Sequence, residues 1–144
     1  MTLASALSAL CAMLRAQTGA PVILGRPDQR VPGIYVWPWN LDRSLSSAAA
    51  PTPLATALDG PTTSANTSQN IHFLLFASPT LTADGLSKLD GARQAIFDHP
   101  ILNVDGTNAK ITLSPLDPRD LAILFVAASM RLTICLSATL AEIP

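Results

Sequence analysis

The segment that most constrains the fold is a nearly continuous apolar run at 70–78, with the sequence NIHFLLFAS. Its length and composition predict a β-strand. Consecutive side chains of a strand point to opposite faces of a sheet. Apolar residues therefore occur on both faces of this strand, which is typical of an interior position. We expect 70–78 to form a central strand.

A first helix is predicted near the N-terminus, where Thr2 can cap it and Gly19 can end it. Its leucines recur at helical spacing and form an expected buried stripe of Leu3, Leu7, Leu10 and Leu14. The first basic residue, Arg15, follows this apolar stretch, whereas a secretory signal peptide carries its basic residues first. A core-packing helix therefore fits better than the alternative, a cleaved signal on an exported or membrane-associated subunit.

Two further helices follow the central strand. Thr82 can cap one of them, and His99 with Pro100 can end it. The other begins at Asp117 and Pro118, a favourable cap and first position. The expected buried stripes are Leu86, Leu89, Ile96 and Phe97 in the first, and Leu121, Leu124, Phe125 and Ala128 in the second.

Shorter strands are predicted at 21–24, 31–39, 109–113 and 132–143. Pro32 and Pro38 bracket the second of these and favour a sheet edge or a bulge. The order of elements predicts one α/β (α+β) domain over residues 1–144. We expect a mixed or antiparallel sheet of about four to five strands with two to three packed helices.

The segment 40–69 differs in character, since Ser, Ala, Thr and Pro dominate it. About thirty such residues are too many for an ordinary connection. We expect a long loop that is flexible or becomes ordered on a partner.

The amino-acid composition indicates that part of the protein surface contacts other subunits. Hydrophobic residues make up 49% and charged residues 13%, where about 25% charged is usual. A solitary monomer with so few charges is poorly protected against association. The net charge of -1 gives no bulk attraction to nucleic acid or to an anionic membrane, and no apolar run reaches the ~20 residues of a membrane-spanning helix.

No motif for catalysis, a metal or a cofactor stands out. The seven glycines are scattered singly, and the two cysteines, Cys11 and Cys135, are too few and too far apart for a disulfide framework. The sequence leaves open whether these two pair, and free buried thiols are the default. We interpret His72 as a core or interface residue and His99 as part of a helix cap. The chain is therefore predicted to be no enzyme and to need no cofactor. A small enzyme or ligand-binding domain with an unrecognised site, built on these histidines or Asp98, stays the alternative.

The most unusual surface candidate is the stretch YVWPW at 35–39. Two tryptophans close together suggest an interface anchor, although one side of the strand could equally pack in the core. Trp37 and Trp39 would share a face of an alternating strand, and Arg43 follows them. Arg suits bidentate interface pairs.

In several segments the chain resembles the cap, or tail-terminator, proteins of phage-tail-like contractile injection systems. The resemblance lies in GIYVWPWNL at 33–41, IHFLLFA at 71–77 and GARQAIFDHPIL at 91–102, followed by a Leu-rich helix and a closing strand.

This resemblance implies a tail-terminator-like fold and a structural protein. It implies a homohexameric ring that ends the inner tube and anchors the last sheath ring. The ring would be part of a phage-tail-like particle, a virus-like assembly that is built in the cytoplasm. The partners would be the chain itself, the tube protein and the sheath protein, with no nucleic-acid specificity and no membrane. The expected interface residues, drawn from the tryptophan stretch, the loop and the final strand, are Trp37, Trp39, Arg43, Leu54, Leu58, Leu140 and Ile143.

Overall fold

The computed structural model of the chain describes residues 1–45, 67–130 and 133–143. Within those ranges it contains three helices and one six-stranded sheet. The elements are α1 (Leu3–Thr18), β1 (Val22–Leu24), β2 (Gly33–Leu45), β3 (Thr67–Ser78), α2 (Ala83–Asp98), β4 (Ile101–Val104), β5 (Thr107–Leu113), α3 (Pro118–Ala127) and β6 (Leu136–Glu142). The predicted α+β class is confirmed, and the sheet has six strands rather than four to five.

The sheet is mixed, with the strand order β1-β2-β3-β6-β5-β4. Only β1 and β2 run parallel, and every other neighbouring pair is antiparallel. The run at 70–78 lies in β3, between β2 and β6, so the prediction of a central strand is confirmed. β6, which comes last in chain order, is also interior.

Both faces of β3 are covered, as its sequence requires. Ile71, Phe73 and Leu75 are fully buried in the larger core, which α1 and α2 close. Leu74 and Phe76 point the other way, into a smaller core closed by α3. We call these two sides of the sheet the broad face and the α3 face.

All three predicted helix starts are confirmed. The Oγ1 atom of Thr2 accepts a hydrogen bond from the Ser5 amide at 3.1 Å, and α1 ends at Gly19, which has a left-handed φ of 69°. Thr82 caps α2, and Asp117 accepts from the Arg119 amide at 2.8 Å at the start of α3.

The predicted buried stripe of α2 is partly wrong. Leu89 and Ile96 are buried, but Leu86 and Phe97 are exposed. Small residues take their place on the packed side of the helix: Gly85, Ala92 and Ala95. The small side chains let α2 pack closely, and this turns the larger residues at 86 and 97 towards solvent.

Strand β2 passes through Pro38 without ending. The pairing of β2 with β3 shifts register between Pro38 and Asn40, which is the bulge that the proline favours. Both ends of the expected loop belong to strands, because residues 43–45 pair with 67–69 and residues 40–42 pair with 70–72. The rest of that segment, 46–66, lies outside the described residues.

Candidate assembly interface

His72 packs against neighbouring side chains of the sheet, and His99 caps a helix. The Nδ1 atom of His72 lies 3.0 Å from Oγ1 of Thr139, and its ring centroid is 5.5 Å from that of Trp39. His99 is the C-cap residue of α2, and its amide donates to the Ala95 carbonyl. In residues 1–45, 67–130 and 133–143, no three His, Cys, Asp or Glu side chains are grouped to hold a metal ion.

Both cysteines are free thiols. Burial raises the pKa of Cys11, and the nearby charge of Arg15 offsets part of that rise. Burial also raises the pKa of Cys135 to about 11. Since the thiolate is the reactive form, neither cysteine is a ready nucleophile at neutral pH. Among the described helices, none is long and apolar enough to cross a bilayer.

Trp37 and Trp39 share one face of β2, the α3 face, as strand alternation predicts. The ring centroid of Trp37 is 6.2 Å from that of Phe76. Both indoles are only partly buried, and they pack at the margin of the smaller core. The two tryptophans therefore contribute to the core and also leave indole surface exposed.

The remaining residues expected at an interface are dispersed. Arg43 lies in β2, in a two-stranded ribbon that extends beyond the last pairing of β3 with β6 at Asn70. Ile143 is exposed just after β6, and its amide donates to the Asn108 carbonyl at 2.8 Å.

For three of the expected interface residues the structure describes no exposed side chain, for two different reasons. Leu140 is fully buried in the core of the broad face, because β6 lies inside the sheet and this side chain points at the helices. Leu54 and Leu58 lie outside the described residues.

The outer side of α3 is apolar, a feature that the sequence analysis did not single out. Ile123 and Val126 are 59% and 78% exposed, and Phe125 is the one buried residue of this helix. By contrast, α2 carries ion pairs on its surface, such as Lys88 with Asp84 at 2.8 Å. A helix that is apolar all round is normally buried all round. The uninterrupted sequence LAILFVA at 121–127 was the available signal for this candidate contact surface.

A pocket of about 270 Å³, which we call the tryptophan pocket, adjoins this surface and is lined by Trp39, Asp120, Ile123 and Leu124. The Nε1 atom of Trp39 is buried and has no hydrogen-bond partner within the described ranges. A buried donor left unpaired costs about 1–3 kcal/mol. The Asp120 carboxylate forms no ion pair in the described part of the chain. The Nε1 donor is thus enclosed within the subunit, and the pocket presents the unpaired negative charge of Asp120.

A second exposed apolar surface lies where β2 begins and β3 ends. Leu81 is 73% exposed and has a left-handed φ of 59°. Val31, on the neighbouring loop, is exposed as well, and the Arg30 side chain beside it is 94% exposed. The loops are joined, since the Thr80 amide donates to Gln29 Oε1 at 3.0 Å. We call Arg30, Val31 and Leu81 the loop tip; no sequence signal marked Leu81.

One edge of β2 is only partly covered by the described strands. The short strand β1 pairs with β2 only over Ile34, Tyr35 and Val36. Beyond Val36, the described part of the chain places no strand on that side of β2. An unpaired edge of this kind can accept a further strand from a partner.

No protein-family model and no curated protein sequence matches this chain. Solved structures do match it. One is the PVC sheath/tube terminator of an extracellular contractile injection system in its extended state, with 12% identity and a TM-score of 0.68. That match covers 100% of this chain and 57% of the other.

Another is the tube-terminating cap of the anti-feeding prophage, AFP, with 18% identity and a TM-score of 0.70. It covers 100% of this chain and 56% of the other. The chain thus spans little more than half the length of either neighbour. The chain has the fold of these two tube-terminating proteins, as its resemblance in sequence implied.

Proposed function

We propose that the chain is a structural protein that terminates the inner tube of a contractile injection system or phage tail. The observation that carries this proposal is the match of the whole chain to two tube terminators, with TM-scores of 0.68 and 0.70. The agreement of that match with the resemblance seen in the sequence at 33–41, 71–77 and 91–102 supports it further.

In this role, six copies form a ring on the distal end of the tube. The ring stops growth because its subunits occupy the surface on which the next ring of tube protein would assemble. The low charged fraction of 13% and the exposed apolar side of α3 support a subunit with several protein neighbours.

The same ring anchors the last ring of the sheath, so that contraction is transmitted to the tube. The partly covered edge of β2 and the ribbon that contains Arg43 are suited to strand addition by a sheath subunit. This role needs no catalysis, cofactor, membrane or nucleic-acid sequence. The particle would be assembled in the cytoplasm.

The test is assembly of the tube protein from the same particle in the presence of this chain. Electron microscopy should show rings of the chain at tube ends, and the tubes should become shorter as its concentration rises. The controls are tube protein alone and tube protein mixed with chain that was denatured beforehand. A chain that stays monomeric by light scattering and leaves tube length unchanged contradicts the proposal.

A further inference from the structure

We propose that the loop tip of one copy inserts into the tryptophan pocket of the next copy. This inference rests on the proposed function and deepens it, because it assigns the surfaces through which neighbouring subunits meet. The tip lies at one end of the sheet, while the pocket lies on the α3 face. A contact between two different surfaces repeats head to tail, which is how cyclic rings are built.

The pocket has the size and lining expected for side chains. Its volume of about 270 Å³ lies just below the range of about 300–1,000 Å³ typical of sites for drug-sized ligands. Ile123, Leu124 and the indole of Trp39 give it apolar walls. An aliphatic side chain such as that of Leu81 would be removed from water there.

Leu81 is unusual for a residue that faces solvent. Its left-handed φ of 59° is a conformation that favours glycine and asparagine. A large apolar side chain displayed on such a backbone needs a reason, and strained residues concentrate at binding surfaces. Insertion into a neighbouring subunit supplies that reason.

The charges of the two surfaces also match. The pocket carries the negative Asp120, and the tip carries the positive Arg30. Among the described residues, the ion pair of the Arg30 side chain is a long, solvent-exposed one with Asp28, at 3.8 Å.

The test is a charge exchange in the 144-residue chain, measured by sedimentation of the purified protein. Arg30→Glu and Asp120→Arg each place like charges at the contact and should raise the dissociation constant of the assembly about tenfold or more. The double variant restores opposite charges and should recover most of the affinity. Circular dichroism checks that all three variants are folded.

A second variant, Leu81→Asn, separates assembly from folding. Asparagine tolerates the left-handed backbone, so the thermal stability of the subunit should be kept or raised while assembly weakens. Asp105→Asn is the matched control, because Asp105 also has a left-handed φ, of 53°, in the β4–β5 turn away from the loop tip. It should leave assembly unchanged.

The outcomes separate this inference from the proposed function. Rings that cap tubes and tolerate both single charge changes overturn the contact but leave the terminator role standing. A double variant as weak as the single ones also overturns the pairing of Arg30 with Asp120. A wild-type chain that never associates overturns both proposals.

Discussion

The ring of Phe125 meets the ring of Phe76 edge-on, with centroids 5.8 Å apart and planes at 85°. Phe76 belongs to the interior strand β3, and Phe125 is the buried residue of α3. A helix of ten residues is too short to be stable alone in water. This aromatic pair therefore holds α3, and the apolar surface that α3 displays, on the sheet.

Replacing Phe125 by alanine should reduce the free energy of unfolding by about 3–5 kcal/mol, the usual cost of removing a buried aromatic ring. Urea unfolding followed by circular dichroism measures the loss. Val126→Ala is the matched control, because Val126 is 78% exposed and should change stability by no more than about 0.5 kcal/mol. Equal effects of the two substitutions would show that Phe125 does not anchor α3.

Two glycines in α2 should respond to alanine in opposite ways. A Cβ atom on Gly85 would collide with the carbonyl oxygen of Pro79, whereas one on Gly91 would make only an ordinary contact with Thr18 at 3.7 Å. Gly91→Ala should stabilise the protein by about 0.5–1 kcal/mol through helix propensity. Gly85→Ala should destabilise it, and thermal unfolding compares the pair. A stabilised Gly85→Ala protein would mean that the turn before α2 moves aside.

Arg26 should stabilise the end of α3. Its Nη1 atom donates to the carbonyl of Ala128, the C-cap residue, at 2.6 Å, and a positive charge is favourable at that end of a helix. Arg26→Ala should therefore cost about 1 kcal/mol. Arg30→Ala, on the same loop but without such a contact to α3, should leave stability unchanged; hydrogen exchange of the 124–128 amides measures both.

Stability should fall at high pH because of Cys135. Burial raises its folded pKa to about 11, while an unfolded thiol has a pKa of about 8.5. Between about pH 8.5 and 11 the unfolded state loses this proton while the folded state keeps it, so the free energy of unfolding decreases as the pH rises. Below about pH 8 the effect is absent. Chemical unfolding of the wild type and Cys135→Ala across this range should show a shallower slope for the variant; parallel slopes contradict the assignment.

Local signals in the sequence predicted much of the fold. Thr2, Thr82 and Asp117 mark helix starts because a side-chain oxygen there accepts a hydrogen bond from a backbone amide that has no partner within the helix. The apolar run of β3 indicated an interior strand, and Pro38 favoured a sheet edge or a bulge, of which the structure has the register shift. These features depend on residues close in the chain, so no tertiary information was needed.

The missed features depend on packing between distant elements. Leu86 and Phe97 fit a helical stripe, but the contact of α2 with α1 and the sheet runs through Ala92 and Ala95 instead. The four-residue strand β4 is too short for a periodic signal and exists through its pairing with β5. Leu81 lies in no periodic or turn motif of the sequence. Its exposure and its left-handed backbone become visible only in the folded structure, where its loop contacts the loop that contains Gln29.

The position of β6 has a consequence for how the protein is made. This strand bridges β3 and β5, so the two halves of the sheet can join only when it is present. While the ribosome still holds residues 136–142, β3 and β5 each expose an unpaired edge. The six-stranded sheet of this domain is therefore complete only after these residues have left the exit tunnel.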